Sequence, residues 1–183
     1  MELYGTIFII VLGCIGHFLF EWSNHNKLVG YLFAINESTW EHIKLIIGPF
    51  IIWMTIEIPF IGNKPNFIFS RTVALLSMIV IMPLLFYVCK YIFKGTSIPR
   101  DILIFIISII IGEYLGHIFI QLPNSSFIVN YLSIIILIII YSSYLMFSYS
   151  PLKIFLFKDP ITNKYGMDAH YEIDKLHLHK HKK

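Results

Sequence analysis

The sequence predicts an all-α polytopic membrane protein, a bundle of five transmembrane helices. Hydrophobic residues make up 57% of the 183 residues and charged residues 14%, against roughly 25% charged in a typical soluble domain. The apolar residues form blocks of about 20, long enough to cross a hydrocarbon layer of about 30 Å as a helix. Only helices and closed barrels satisfy the backbone in lipid, and the long unalternating blocks exclude a barrel.

Five blocks of the sequence meet this length. They predict transmembrane helices over residues 3–22, 40–60, 72–93, 101–121 and 127–147. The first block lacks the basic residues that open a signal peptide, so we expect it to be retained as a helix. Residues 1–150 would form one transmembrane domain. Residues 151–183 would form a cytoplasmic segment at the headgroups that ends in a basic tail rich in histidine and lysine.

Basic residues in the connections predict the orientation. One side of the membrane receives Lys64 and Arg71, and the other side receives the remaining 12 of 14 lysines and arginines. The positive-inside rule therefore predicts a cell-membrane protein with an external N-terminus and a cytoplasmic C-terminus. The net charge of +3 reflects the tail and indicates no nucleic-acid partner. We expect membrane lipids to surround the protein, and a homo-oligomer is one possible assembly. The richness in isoleucine, lysine and asparagine is compatible with a low-GC bacterium.

Ionisable side chains inside the predicted helices are the main functional signal. Each costs about 2.5–3.5 kcal/mol at the centre of a membrane helix, so each is a functional hypothesis by default. His17 and Glu21 lie four residues apart on the first helix, and Glu113 and His117 repeat that spacing on the fourth. Residues four apart share one helix face. We predict that these four side chains hold a metal ion, zinc or non-haem iron, since both accept imidazole and carboxylate donors.

Small residues accompany the second of these pairs. Gly112 and Gly116 form a small-xxx-small pattern, which lets helices approach closely, and the simplest interpretation is that this face packs against the first helix. The two pairs differ in depth, however. They meet only if the first helix continues beyond Trp22 or the bundle is tilted. Otherwise His17 and Glu21 would form a cytoplasm-facing site with the polar segment that opens the second helix.

That segment reads Asn36-Glu37-Ser38-Thr39-Trp40-Glu41-His42. Ser38 and Glu41 have the spacing of a capping box, in which Ser38 caps the helix and the Glu41 side chain returns to the Ser38 backbone N–H. Both capping and chemistry are therefore open for Glu41. Glu37 and His42 have no such local explanation. We predict Glu37, Glu41 and His42 as catalytic acid/base residues.

Four further side chains are predicted to bind substrate: Asn24, Asn36, Trp40 and Gln121. Asn24 and Gln121 continue the helix faces of the two histidine–glutamate pairs, while Asn36 and Trp40 belong to the polar segment. Glu57, near the other end of the second helix, is expected to be unconnected and to reach the headgroups.

The string Asn36–Leu45, with His17-Phe18 before it and Asp159–Gly166 after the last helix, resembles a family of uncharacterised small bacterial integral membrane proteins. The resemblance covers most of the chain and implies that Asn-Glu-Ser-x-Trp-Glu-His-x-Lys is a signature, but it implies no activity. A looser similarity, carried by no shared motif, is to five-span sterol isomerases and emopamil-binding proteins, which also place histidine and glutamate inside the bundle.

The leading hypothesis is a membrane-embedded enzyme that acts on a lipid or another apolar small molecule. With a metal ion, the enzyme would activate bound water, whose pKa the ion lowers to about 7; without one, glutamate and histidine would move protons. An ion- or proton-coupled transporter or a substrate-binding membrane protein is the alternative, although no internal repeat of the kind common in carriers is evident. A structural membrane subunit, with polar residues that only fix helix register, is the third.

Overall fold

The computed structural model describes residues 2–95 and 97–172. The helices are α1 (Glu2–Trp22), α2 (Lys27–Leu32), α3 (Thr39–Ile61), α4 (Phe67–Ile92), α5 (Ile98–Ile120) and α6 (Phe127–Met146), followed by a 3₁₀ turn at Phe155–Phe157. All of the α-helices except α2 are long enough and apolar enough to cross a membrane. These residues include no β-strand, so the prediction of an all-α protein with five membrane-type helices is confirmed.

The predicted helix bounds differ most from the structure at the start of α4. This helix begins at Phe67 instead of residue 72, because Arg71 lies inside it and is fully buried. The apolar block that predicted this helix ends at the positive charge of Arg71. The helix continues through that charge because carboxylates on other helices neutralise it.

The chain divides into two compact units, and each is described by itself. Of the residues that the structure describes, the first unit comprises those within 1–13 and 46–141, and the second comprises those within 14–45 and 142–183. Three of the helices, α1, α3 and α6, therefore contribute residues to both units.

In the first unit, α4 and α5 approach each other closely at two glycines. A Cβ atom at Gly112 would overlap Met78 and would come within 2.8 Å of the Ala74 carbonyl oxygen. A Cβ atom at Gly116 would lie 3.0 Å from the Cβ of Ala74. The close approach that these glycines predict is present, and the neighbour at both glycines is α4.

In the second unit, a buried lysine joins the start of α3 to the segment before it. Lys44 Nζ donates to the carbonyl oxygens of Gly30 and Phe33, at 2.9 Å each, and pairs with Glu41 at 2.9 Å. Glu41 also accepts the backbone N–H of Ile35 at 3.0 Å. α2 has only six residues, and these side-chain bonds tie the chain around it to the start of α3.

Candidate active site

The polar segment that opens α3 is held by the chain that follows α6. Asn36 Nδ2 donates to the Gly166 carbonyl oxygen at 3.0 Å, and the Glu37 backbone N–H donates to Asp159 Oδ2 at 2.9 Å. Asp159 is fully buried, and its other oxygen accepts two backbone N–H groups of the turn that follows it, which is typical of aspartate in turns. The two strings that carry the family resemblance are therefore adjacent in the second unit.

Ser38 caps α3, but Glu41 does not complete the predicted capping box. The Glu41 backbone N–H lies 3.4 Å from Ser38 Oγ, so the first half of the box is confirmed. The second half is wrong, because the Glu41 carboxylate pairs with Lys44 while Asn36 accepts the Ser38 N–H. Both members of the Glu41–Lys44 pair are buried, and a buried charge that loses its partner is costly. Glu41 thus has a structural role, and its catalytic role stays a prediction.

Three side chains, His17, Glu37 and His42, converge in what we call the Glu37 centre. His17 Nε2 lies 3.5 Å from Glu37 Oε1, and His42 Nε2 lies 3.7 Å from Glu37 Oε2. The two imidazole centroids are 5.5 Å apart. Each side chain is about one third exposed, at 31%, 38% and 36%. One histidine comes from α1 and the other from α3, and the polar segment between α2 and α3 supplies the carboxylate.

His42 has a defined tautomer. Its Nδ1 lies 2.9 Å from the Ser38 carbonyl oxygen, which can only accept, so Nδ1 carries the proton. In the neutral ring the lone pair is then on Nε2, the atom that faces Glu37. An ionised carboxylate also only accepts, so the gap between the two groups suits a proton or a cation. A ring nitrogen bonded to a backbone carbonyl is typical of catalytic and metal-binding histidines.

Glu21 belongs to a different set, the His170 cluster, which consists of Glu21, His25 and His170. Glu21 Oε2 lies 3.3 Å from His25 Nε2, and Glu21 Oε1 lies 3.7 Å from His170 Nδ1. The predicted metal site grouped Glu21 with His17 because the two share a helix face. The prediction included neither histidine of the cluster. His25 follows Glu21 by four residues, the spacing of the other two histidine–glutamate pairs, whereas no local spacing indicates that His170 joins them.

In the first unit, Glu113 pairs with an arginine that the sequence analysis placed in a loop. Arg71 Nη1 lies 3.1 Å from Glu113 Oε2, and Arg71 Nε lies 3.3 Å from Glu57 Oε2. These three side chains, which we call the Arg71 cluster, are 0–2% exposed. The prediction that Glu57 is unconnected and reaches the headgroups is therefore wrong. The sequence did carry one signal. Arg71 stands directly before a predicted helix, and two glutamates in other predicted helices could neutralise its charge.

His117 also has partners within the first unit. Its Nδ1 lies 3.0 Å from Glu2 Oε1, and its Nε2 lies 2.6 Å from Gln121 Nε2. The four predicted metal ligands thus fall into both units, and each has partners in its own unit: Glu113 and His117 in the first, His17 and Glu21 in the second. That these two pairs form one metal centre stays a prediction.

The four residues predicted to bind substrate have different surroundings. Asn24 is exposed and has a φ of 55°, and Gln121 contacts His117. Trp40 and Asn36 are buried, and the Trp40 ring stacks on Phe157 with centroids 4.8 Å apart. Burial of Trp40 and Asn36 stabilises the polar segment. A contact with substrate stays a prediction for all four.

The fold and these clusters define a helical protein with five membrane-type helices and several histidine–glutamate clusters. Residues 2–167 match the family of unknown function DUF6512, and the chain belongs to that family. No curated protein and no solved structure matches the chain. The comparisons therefore confirm membership of a family without assigned activity. The signature role of the polar segment and the similarity to sterol isomerases and emopamil-binding proteins are not confirmed.

Proposed function

We propose that this protein is a membrane-embedded acid/base enzyme that acts on a lipid or another apolar small molecule at the Glu37 centre. The observation that carries this proposal is the bond between His42 Nδ1 and the Ser38 carbonyl oxygen. It leaves His42 Nε2 as a base directed at Glu37. Because the three side chains are about one third exposed, a substrate can reach them without unfolding of the second unit.

Each residue of the centre has a role in this proposal. His42 Nε2 accepts a proton from the substrate, and the Glu37 carboxylate stabilises the resulting imidazolium. His17, protonated on the other side of the same carboxylate, returns a proton as the acid. Proton transfer from His42 to His17 through the Glu37 carboxylate then restores both rings. A positioned acid or base of this kind contributes about 10²–10⁴-fold to a rate. The reaction class is proton abstraction and return, as in the isomerisation of a double bond.

The neighbourhood of His17 supports an apolar substrate. Phe18 and Trp22 on α1 are 50% and 69% exposed, and their rings stack with centroids 5.7 Å apart. The edge of the Phe18 ring also contacts His17, at 5.2 Å between centroids. An acyl chain or a fused ring system would pack on this surface beside the imidazole.

The same three side chains would also suit a metal ion. Two imidazoles and one carboxylate are the ligands of catalytic zinc sites that keep one position open and of many non-haem iron sites. Elemental analysis of protein purified without chelator separates the two versions. Zinc or iron at one equivalent that Glu37→Gln abolishes supports the metal version, and a content far below one equivalent contradicts it.

The enzymatic proposal is tested by the lipids that the protein converts. Wild type, Glu37→Gln and His42→Gln would be produced in a bacterial host, and total lipid extracts incubated with each purified protein would be compared by mass spectrometry. We expect wild type to convert a component, and each variant to do so at least about 100-fold more slowly. Glu172→Gln, which changes an exposed carboxylate outside the centre, should retain the rate. Equal conversion by wild type and Glu37→Gln contradicts the proposal.

A second candidate function, a proton-coupled carrier, is favoured by the Arg71 cluster. One guanidinium lies between two buried carboxylates, so the cluster is one positive charge short and could take up a proton. Ionisable groups inside membrane helices often mark proton and ion pathways. A pH-sensitive dye inside proteoliposomes would report proton flux, which Glu113→Gln should abolish. No flux by wild type under any imposed ion gradient would exclude a carrier.

We also propose the orientation with an external N-terminus. Two basic residues of the sequence count are fully buried inside long helices and do not flank the membrane, Lys44 in α3 and Arg71 in α4. Each side loses one residue, so the cytoplasmic side keeps eleven basic residues and the external side keeps Lys64. Green fluorescent protein fused to the C-terminus should fluoresce, since it folds in the cytoplasm. Alkaline phosphatase activity at that end would reverse the assignment.

A further inference from the structure

The His170 cluster is a second group of ligand-type side chains, separate from the Glu37 centre. One nitrogen or oxygen atom from each of Glu21, His25 and His170 lies within 4.8 Å of those of the other two. The rings of His25 and His170 are 4.5 Å apart between centroids and meet edge to face. No role in the proposed reaction uses these three residues.

Each of the two contacts between Glu21 and a histidine has nearly the spacing of neighbouring ligands in a zinc site. Zinc–ligand bonds of about 2.0–2.1 Å in a tetrahedral site place neighbouring ligand atoms about 3.4 Å apart. His25 lies 3.3 Å from one oxygen of the Glu21 carboxylate, and His170 lies 3.7 Å from the other oxygen, so the two distances lie on either side of this value. The Glu21 side chain is 55% exposed, so its carboxylate can rotate toward an ion without disturbing the core.

The backbone holds His25 in an uncommon conformation. Asn24 and His25 have φ values of 55° and 61°, in the left-handed region that residues other than glycine seldom adopt. The N–H of His25 donates to the Phe20 carbonyl oxygen at 3.1 Å, which closes α1 and turns the chain back over its last turn. A glycine would adopt this φ at lower cost, and strained positions of this kind cluster at functional sites.

His170 is more deeply buried than its two partners. Its side chain is 2% exposed, and the ring meets Phe20 edge to face with centroids 4.9 Å apart. This packing directs Nδ1 toward Glu21. A ring that is already packed has little rotamer freedom to lose when it binds a ligand.

We propose that Glu21, His25 and His170 bind a divalent transition-metal ion such as zinc, with a coordination position left for water. Imidazole nitrogens and a carboxylate oxygen suit zinc, copper and nickel. The ion joins the end of α1 to residues 166–172, which are helical. That stretch begins at Gly166, whose carbonyl oxygen accepts from Asn36. The metal ion would thus stabilise the segment after α6 whose hydrogen bonds position Asn36 and Glu37. His170 lies beyond the family match at residues 2–167, so the site is inferred for this chain alone.

Zinc stoichiometry tests the proposal on full-length protein purified without a histidine tag. In every sample His177, His179 and His181 would be replaced by glutamine, because histidines of the tail would also bind zinc. After dialysis against buffered free zinc, this background should hold one equivalent more than the same background with Glu21→Gln or His25→Asn. Asparagine is chosen at position 25 because it tolerates a left-handed φ.

Two controls separate this site from its surroundings and from the Glu37 centre. Glu172→Gln changes another exposed carboxylate and should retain the zinc. Glu37→Gln should also retain it. Zinc that Glu37→Gln removes and Glu21→Gln does not would overturn the His170 site and support the metal version of the proposed enzyme. Equal zinc in all variants, or none in the background, would overturn the site as well.

A second measurement tests whether the metal ion holds residues 166–172 in place. Lys164 is 47% exposed and precedes the helical stretch at residues 166–172. Zinc should slow tryptic cleavage after Lys164 several-fold in the background and should have no effect with Glu21→Gln. His170→Gln should behave in the same way. If it does not fold, the exposed positions Glu21 and His25 still decide the outcome.

Discussion

The Arg71 cluster of the first unit and the Glu37 centre of the second hold ionisable groups in contrasting ways. In the Arg71 cluster the side chains are 0–2% exposed and the charged atoms lie 3.1 and 3.3 Å apart. In the Glu37 centre the side chains are 31–38% exposed and the corresponding distances are 3.5 and 3.7 Å. The first arrangement leaves no room for a substrate between the charges. The second is open to solvent, so a substrate or an ion can reach its side chains.

The difference lies in what burial demands of a charge. A buried charge must keep its partner, since the desolvation penalty is otherwise not offset. A half-exposed group can exchange its partner for water, substrate or an ion at little cost. Burial decides whether a charged group can exchange its partner, and membership of one unit or the other does not. The second unit contains a buried ion pair of its own, Glu41 and Lys44. We therefore expect substitutions in buried clusters to change stability, and those in the Glu37 centre to change activity.

Arg71→Met should have the largest effect on stability. It leaves the carboxylates of Glu57 and Glu113 buried without their cation, and the loss of one partner from a buried ion pair costs about 3–5 kcal/mol. The measurement is the free energy of unfolding in mixed micelles. Lys64→Met, at an exposed residue in the turn before α4, is the matched control and should stay within about 0.5 kcal/mol.

The triple variant Glu57→Gln, Arg71→Met, Glu113→Gln sharpens this prediction. With no charge left in the cluster, it should recover much of the stability lost in Arg71→Met, since uncharged replacements of buried ion pairs are often neutral. A single variant as stable as wild type would show that the cluster is hydrated and that the contrast with the Glu37 centre does not hold.

Lys44→Met should be the next most damaging change, at about 3 kcal/mol. It strands the Glu41 carboxylate and removes the donor to the carbonyl oxygens of Gly30 and Phe33. Unfolding in mixed micelles is again the measurement, with the exposed Lys27→Met as control. If the pair acts as a unit, Lys44→Met with Glu41→Gln should cost less than the sum of the single variants. Additive losses would argue against it.

Gly112→Ala should cost about 1–3 kcal/mol, the usual range for overpacking. The new Cβ would press on Met78 and on the Ala74 carbonyl oxygen, so α4 and α5 would have to separate. At Gly95 a Cβ would meet nothing within 4 Å, so Gly95→Ala is the matched control and should be nearly neutral. Equal stability of the two variants would mean that the helices are not packed as closely as described.

Glu37→Gln should have the smallest effect on stability, below about 1 kcal/mol, because the exposed contacts to His17 and His42 are screened by solvent. The same variant should lose lipid conversion. Both quantities are measured on one preparation, so a folded but inactive protein is the expected result. A loss of stability as large as that of Arg71→Met would make the Glu37 centre structural and remove the distinction between the clusters.

Much of the fold could be predicted from the sequence, and the errors have one cause. Apolar block length places all five long helices, since a membrane-spanning helix needs about 20 apolar residues whatever its neighbours are. Only the start of α4 was misplaced, at residue 72 instead of Phe67, because Arg71 lies inside the helix. Whether a charge can be buried depends on partners from other helices, and a single-helix pattern carries no information about them.

The candidate site was predictable in part. Residue identity and helix spacing singled out His17, Glu37 and His42 because polar groups are costly in an apolar chain. The spacing of His17 and Glu21 on one face suggested that they share a site, yet their side chains have different partners. A shared face brings two residues near each other. It does not decide which neighbouring element each one contacts.

By itself, then, the sequence determined the class of protein, the number of long helices and the residues whose chemistry matters, because these follow from composition and local spacing. Only the tertiary structure decided which of those residues meet. Asp159 reaches Glu37, and His170 reaches Glu21, across more than 120 residues of chain. Contacts at such separations depend on how the elements pack, which is set by the whole set of burial and pairing energies.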